Sequence, residues 1–153
     1  MHLETELWLP RPLGEVFAFF SDAANLEALT PPWLHFRILT PKPIAMHAGT
    51  LIDYSIRVHG IPISWQSEIT VWDPPNRFVD VQRRGPYRQW DHTHSFAAVN
   101  GGTLVSDSVE FDVPFSFAAG WFVKRDVRKI FDFRHQSLLR RFGAGLAADP
   151  QRS

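Results

Sequence analysis

The segment "YRQWDHTHSFAAVNGGTLVSDSVEF", residues 87–111, decides the fold because it predicts a hairpin with a defined register. Asn100-Gly101 is a strong signal for a two-residue turn between antiparallel strands. A three-residue loop would shift one strand and separate apolar residues that otherwise share a face. The predicted cross-strand pairs are Val99 with Gly102, Phe96 with Val105, His94 with Asp107, His92 with Val109, and Trp90 with Phe111.

This hairpin places His92, His94 and Asp107 among large apolar side chains on one face. A carboxylate on such a face needs a partner, so we expect Asp107 to hydrogen-bond His94 directly or through water. Three interpretations stay open: a polar pair that serves the structure, the polar end of a ligand cavity, and a metal site of two imidazoles with a carboxylate. We favour the ligand cavity and expect no metal, because short histidine motifs often arise by chance.

The preceding turns set the faces of the other strands. His59-Gly60 predicts a second two-residue turn, with the pairs Val58 with Ile61, Ile56 with Ile63, Tyr54 with Trp65, and Ile52 with Ser67. For the strand in "RFVDVQRRGPY" the turns allow two alternatives, Val79 and Val81 inside or, with a one-residue bulge, Asp80 and Gln82 inside. The turn "WDPPN" favours the second, because pairing Val71 with Phe78 puts Gln82, and less securely Asp80, on the face of Trp65.

The ends of the chain add helices to these strands. Residues 3–9 alternate as a half-buried strand, Pro12 begins a short amphipathic helix, and Asp22 caps another that Pro31-Pro32 ends. From Gly120 to Phe142 one long helix carries an apolar stripe of Val123, Val127, Ile130, Phe131, Arg134 and Leu138, with Gly143 suited to its end. We therefore predict one domain over residues 1–143, an α+β fold with about seven antiparallel strands, and a disordered tail at 144–153.

Composition excludes several functional classes. Sixteen basic residues balance 16 acidic ones, which argues against a nucleic-acid partner, and the absence of cysteine excludes disulfides and a thiolate nucleophile. The start of the sequence lacks a signal-peptide pattern and no apolar run is long enough for a bilayer, so we expect a cytoplasmic protein without stable membrane insertion. Aromatic residues make up 14% of the chain, which is enough to fill a core or to line a cavity.

The chain resembles the START-like, helix-grip (SRPBCC) superfamily, which includes lipid-transfer domains and aromatic polyketide cyclases. The likeness covers residues 1–142 and lies in "NLEALTPPWLHFRI", "GIPISWQSEI", "WDPPNRFVDVQRRGPYRQWDHTHSF", "GGTLVSDSVEF" and "KIFDFRHQ". It implies a curved antiparallel sheet that grips the C-terminal helix, with a deep cavity for an apolar or aromatic molecule between them. Members of the superfamily mostly need no cofactor. Their catalytic residues differ between branches, so the resemblance assigns none here.

Three functional hypotheses follow. The first is a carrier or sensor of a hydrophobic small molecule. The second is an enzyme similar to polyketide cyclases and dehydrases, in which His94 held by Asp107 acts as a general base, with His92 as a further candidate. The third is an interaction module whose aromatic side chains fill the cavity. The sequence does not indicate an oligomeric state. The predicted ligand-binding residues are Tyr54, Trp65, Gln82, Trp90, His92, His94, Asp107, Phe111, Phe131 and Leu138.

Overall fold

A computed structural model describes residues 1–143 of the chain. The strands are β1 (His2–Leu9), β2 (Arg37–Ile38), β3 (Leu51–Val58), β4 (Ile61–Asp73), β5 (Arg77–Arg84), β6 (Gln89–Val99) and β7 (Gly102–Asp112). The helices are α1 (Leu13–Phe20), α2 (Leu26–Leu29) and α3 (Ser116–Phe142), with short 3-10 turns at Ala23–Asn25 and Pro32–Leu34. The predicted tail at 144–153 lies outside the described residues.

All strands form one antiparallel sheet in the order β1-β7-β6-β5-β4-β3-β2. The sheet curves around α3, whose Val127 and Phe131 pack with Trp65, Trp90 and Phe111 of the sheet in one buried cluster. A second cluster joins the phenylalanines of α1 to β4–β7 and to the C-terminal end of α3. The α+β, helix-grip architecture predicted from the sequence is therefore confirmed.

Both predicted two-residue turns are present, with the predicted register. Asn100 and Gly101 have φ values of 50° and 77°, and His59 and Gly60 have 49° and 81°. Two successive residues with positive φ give a turn whose twist matches that of the strands it joins. Every cross-strand pair that we predicted for β3–β4 and for β6–β7 is found.

The register of β4 with β5 differs locally from the prediction. Phe78 pairs with Trp72 instead of Val71, because the turn after Asp73 has three residues and not two. A bulge between Ile69 and Val71 then shifts the pairing back by one residue. The two shifts cancel, so Asp80 lies opposite Ile69, and Gln82 opposite Ser67. Across β5–β6, Asp80 pairs with His92, which confirms the alternative with Asp80 inside.

Helix α3 begins at Ser116, four residues before the predicted start, and its apolar stripe is as expected. Val127, Phe131, Arg134 and Leu138 are buried, while Val123 and Ile130 are half-buried. Spacings of three and four residues place these side chains on one face, which contacts the sheet. Within residues 1–143, no helix combines the length and apolarity needed to cross a bilayer.

The β6–β7 turn provides a test of the fold at Gly102. A Cβ atom on this residue would overlap the backbone oxygen of Leu9 and the Trp8 ring, whose Nε1 donates to Val99 O at 2.7 Å. We expect Gly102→Ala to lower the free energy of unfolding in urea by about 1 to 3 kcal/mol, the usual cost of overpacking. Gly14→Ala is the control, because a Cβ there meets nothing within 4 Å. An equal loss in both variants would contradict this packing.

Candidate functional site

A cavity of about 620 Å³ lies between the concave face of the sheet, α3 and the segment that contains α1 and α2. Side chains of both buried clusters line this cavity, which therefore lies between two parts of the core. The exposed residues His59 and Phe122 are among those that line it. His59 Nε2 and Asp126 Oδ2 are 2.8 Å apart and connect the β3–β4 turn to α3.

One wall of the cavity is aromatic. Trp65 stacks on Tyr54 with ring centroids 5.6 Å apart and meets Trp90 edge-on at 5.5 Å. The polar atoms of the two β3–β4 rings converge on Ser67, whose Oγ accepts from Trp65 Nε1 at 3.0 Å and lies 3.3 Å from Tyr54 Oη. Because these polar atoms have partners, the rings present mainly apolar surface to a guest molecule.

A second part of the wall is a group of five ionisable side chains, here called the polar cluster: Asp80, His92, His94, Asp107 and Arg134. The strand register brings four of them together, because β5, β6 and β7 are neighbours in the sheet. Arg134 comes from the opposite side, on the buried face of α3. All except Asp80 are buried, and Asp80, His92, His94 and Arg134 line the cavity.

Asp107 and Arg134 form the centre of the cluster. The guanidinium donates from Nη2 to Oδ1 at 3.0 Å and from Nε to Oδ2 at 3.2 Å, which is a two-bond fork. His92 Nε2 adds a third bond to Oδ1 at 2.7 Å. Burial opposes ionisation of Asp107, but Arg134 and the His92 hydrogen bond outweigh it, so the pKa of this carboxyl lies well below its usual range. Asp107 is therefore a carboxylate at neutral pH.

These contacts determine the tautomer of His94. Its Nδ1 lies 3.0 Å from Arg134 Nη2, and because a guanidinium only donates, Nδ1 must be the acceptor. The proton of the neutral ring is then on Nε2, which donates to Asp80 Oδ2 at 2.5 Å. Burial, together with the neighbouring His92, lowers the pKa of His94 to about 4. Both ring nitrogens of His94 are thus occupied.

His94 and Asp107 do not form the direct hydrogen bond that we expected, although the two residues are cross-strand partners. Nδ1 of His94 and Oδ1 of Asp107 are 3.5 Å apart and both accept from Arg134, so no proton lies between them. His92 is the histidine bonded to Asp107. Since a carboxylate accepts, His92 Nε2 carries a proton, and the other ring nitrogen, Nδ1, lies 3.7 Å from Asp80 Oδ2.

Asp80, His92 and His94 also have the composition of a metal site, with one ligand atom from each lying within 4.8 Å of the others. The hydrogen bonds oppose that use. A metal ion on His94 Nε2 would require the ring proton on Nδ1, where it would face the Arg134 donor. The expectation of no bound metal stays a prediction.

Comparison with known proteins gives the family. The profile of the family described as "Polyketide cyclase / dehydrase and lipid transport" matches residues 9–135, most of the chain. The chain belongs to this family. The predicted membership of the START-like, SRPBCC superfamily is confirmed. A sequence search of curated proteins finds no significant match.

Solved structures share the fold at low sequence identity. A START superfamily protein from Mycobacterium smegmatis superposes with a TM-score of 0.72 at 11% identity, covering 94% of this chain and 97% of that one. Protein CV1439 from Chromobacterium violaceum gives 0.74 at 14% identity, with 93% and 97% covered. TTHA0849 from Thermus thermophilus gives 0.63 at 20%, with 97% and 100% covered. At these identities the likeness extends to the fold alone.

The predicted site residues divide between the cavity wall and the surrounding core. Six line the cavity: Tyr54, Trp65, Trp90, His92, His94 and Phe131. Four do not. Phe111 and Leu138 are fully buried in the core, Asp107 lies behind the two histidines, and Gln82 hydrogen-bonds the backbone of Tyr87 through both amide atoms. These four would act on a ligand only through the residues in front of them.

Sequence reasoning left Arg134 and Asp80 out of the predicted site. Arg134 stood on the predicted apolar stripe of α3, and a cation on a buried face requires a buried anion. Asp107 on the facing sheet is that anion, so combining the two patterns would have found the pair. Asp80 was harder to assign, because its orientation depends on a bulge that no sequence signal marks.

The pKa of His94 predicts how stability changes with pH. Between pH 6.5 and about 4 the unfolded chain binds a proton on His94 that the folded protein does not, so stability falls as the pH is lowered through this range. The slope reaches about 1.4 kcal/mol per pH unit. The lowered pKa values of Asp80 and Asp107 leave their contributions constant above about pH 5 and add to the fall in stability below it. Urea unfolding at several pH values measures the slope.

The matched variants are His94→Gln and His135→Gln. His94→Gln should remove most of the slope, because an amide does not titrate. His135→Gln should keep the larger part, since this histidine is only half-buried. An unchanged slope in His94→Gln would mean that the assigned proton positions are wrong.

Proposed function

We propose that this protein binds an apolar or aromatic small molecule in the cavity and acts as its carrier or sensor. The observation that carries the proposal is the cavity of about 620 Å³, with an aromatic wall on one side and the polar cluster on another. Ligand sites in proteins commonly measure about 300 to 1,000 Å³ and combine apolar walls with a few polar groups. The volume also argues against an interaction module with a filled interior.

The polar cluster supports a ligand-binding role because apolar side chains could fill the same part of the interior at lower desolvation cost. Burying two carboxylates and a guanidinium has a large desolvation cost, and apolar residues of similar volume often give an equal or higher stability. The same groups at the wall of a cavity orient a guest molecule. A site of this kind therefore accounts for side chains that a purely structural core does not need.

Native mass spectrometry of gently purified protein tests the proposal directly, because a retained guest adds a discrete mass. We further expect an apolar fluorescent probe to bind with a dissociation constant of about 1 μM, equivalent to about −8 kcal/mol. Trp65→Ala should weaken the probe by about tenfold, since it removes part of the aromatic wall.

Trp121→Ala is the matched control, because Trp121 is 70% exposed and does not contribute to the cavity wall. Its probe affinity should equal that of the wild type. Circular dichroism and thermal unfolding establish that both variants fold. Equal affinities in the two folded variants, or no probe binding by the wild type, would place the binding function elsewhere.

An enzymatic function of the polyketide cyclase or dehydrase type is the second candidate. The observation that favours it is the Asp107–His92 bond, which holds the ring with Nδ1 free to accept a proton. His92 replaces His94 as the candidate general base, because His94 has both nitrogens occupied. Asp107 would then position His92 and not His94.

Exchange of carbon-bound protons tests the second candidate. In D₂O, the methyl protons of bound 2-acetylnaphthalene, an enolisable aromatic ketone, should exchange faster than in buffer, because His92 Nδ1 removes a proton and forms the enolate. His92→Gln should abolish the acceleration, whereas His94→Gln should retain it. Exchange that depends on His94 alone, or no exchange of a ketone shown to bind, would exclude His92 as the base.

A further inference from the structure

The polar cluster has three atoms whose hydrogen-bonding capacity is unused within residues 1–143. Arg134 uses Nε and Nη2 and leaves Nη1 without a partner, Asp80 uses Oδ2 and leaves Oδ1, and His92 uses Nε2 and leaves Nδ1. No fully buried side-chain nitrogen or oxygen of the described residues lacks a partner, so these three atoms are accessible. Since their residues line the cavity, a ligand can reach them.

The distance between His92 and Asp80 indicates what the ligand supplies. His92 Nδ1 and Asp80 Oδ2 are 3.7 Å apart, which exceeds the separation of a hydrogen-bonded pair. A proton shared between them would draw them to about 2.8 Å, the length of a charge-assisted hydrogen bond. The two atoms are instead neighbouring acceptors on residues that line the cavity, and Asp80 Oδ2 already accepts from His94 Nε2. One external donor can therefore satisfy His92 Nδ1 or the free Oδ1 of Asp80.

The charge of the cluster restricts the class of ligand. Two carboxylates and one guanidinium leave one net negative charge when both histidines are neutral, and the guanidinium charge is already matched by Asp107. A carboxylate ligand would add a second unmatched negative charge in a buried place, which is strongly unfavourable. A neutral hydroxyl adds no charge, donates one proton to the acceptor pair and can accept from an N–H donor.

Resting on the proposed function of the cavity, we propose that the polar cluster selects neutral ligands that carry a hydroxyl group, an aromatic or alicyclic alcohol or phenol. The hydroxyl donates to Asp80 or His92 Nδ1, and an oxygen of the ligand accepts from Arg134 Nη1. The apolar remainder lies against Trp65 and Trp90. The site rejects carboxylates of the same size and shape.

The test compares four ligands of one shape: naphthalene, 2-naphthol, 2-methoxynaphthalene and 2-naphthoate. Their dissociation constants at pH 7.5 are measured by isothermal titration and by displacement of the apolar probe. We expect 2-naphthol to bind about tenfold or more tightly than 2-methoxynaphthalene, which has the oxygen but no proton to donate and leaves the acceptor pair unsatisfied. The binding of 2-naphthoate should be weaker than that of naphthalene.

Asp80→Asn tests the assignment to the acceptor pair. The amide oxygen still accepts from His94 Nε2, so the fold should persist, and thermal unfolding measures this. The preference for 2-naphthol over 2-methoxynaphthalene should fall to less than threefold. Asp91→Asn is the matched control, because it makes the same change on the other face of β6, where Asp91 accepts from Gln89 Nε2 and does not line the cavity, so the preference should be unchanged. The comparison of wild-type affinities needs no variant.

The outcomes separate this inference from the proposed function. Equal binding of naphthalene, 2-naphthol and 2-methoxynaphthalene overturns hydroxyl selection and leaves the apolar site standing. Tighter binding of 2-naphthoate than of 2-naphthol also overturns it, since the cluster would then be an anion site. If 2-naphthylmethylammonium binds more tightly than 2-naphthol, the cluster selects cations instead. If neither the probe nor any of these ligands binds, the proposed function and this inference both fail.

Discussion

The fork between Arg134 and Asp107 is the interaction on which the rest of the site depends. It joins the buried face of α3 to strand β7, the neighbour of the edge strand β1. Either side chain without the other would destabilise the fold, because an unpaired buried charge costs several kcal/mol. The pair therefore ties the rotation of α3 about its axis to the register of the β6–β7 hairpin.

The same fork determines the chemistry of both histidines. His94 Nδ1 accepts a hydrogen bond from Arg134, and His92 Nε2 donates one to Asp107. His92 and His94 lie on the same face of β6, but their hydrogen bonding differs. Both nitrogens of His94 are bonded, whereas His92 leaves Nδ1 free. A cation on a helix and an anion on a strand are enough to create this asymmetry. The separation of roles arises from hydrogen-bond direction more than from burial, because both rings are buried.

Local turn chemistry made most of the fold predictable. The pairs Asn100-Gly101 and His59-Gly60 determine two hairpin registers, and alternation along those strands then identifies the concave face. The pairing of β4 with β5 was less predictable, because a longer turn and a bulge shift it twice. The hydrogen-bond partner of His94 was not predictable from the sheet alone. It depends on Arg134, which reaches the sheet from a different element and is 27 residues from Asp107 in the sequence.

The contact between His59 and Asp126 affects how fast the cavity can open to solvent. It joins the β3–β4 turn to α3 at the wall of the cavity, and the side chain of His59 is 60% exposed. Exposed pairs of this kind stabilise by about 1 kcal/mol or less, so breaking it is a small thermal fluctuation. A two-residue turn can then move away from the helix without loss of the strand ladder behind it. For the ligand proposed above, opening at this point would need only local loop motion, which occurs in nanoseconds to microseconds, so its contacts with the wall would determine its residence time.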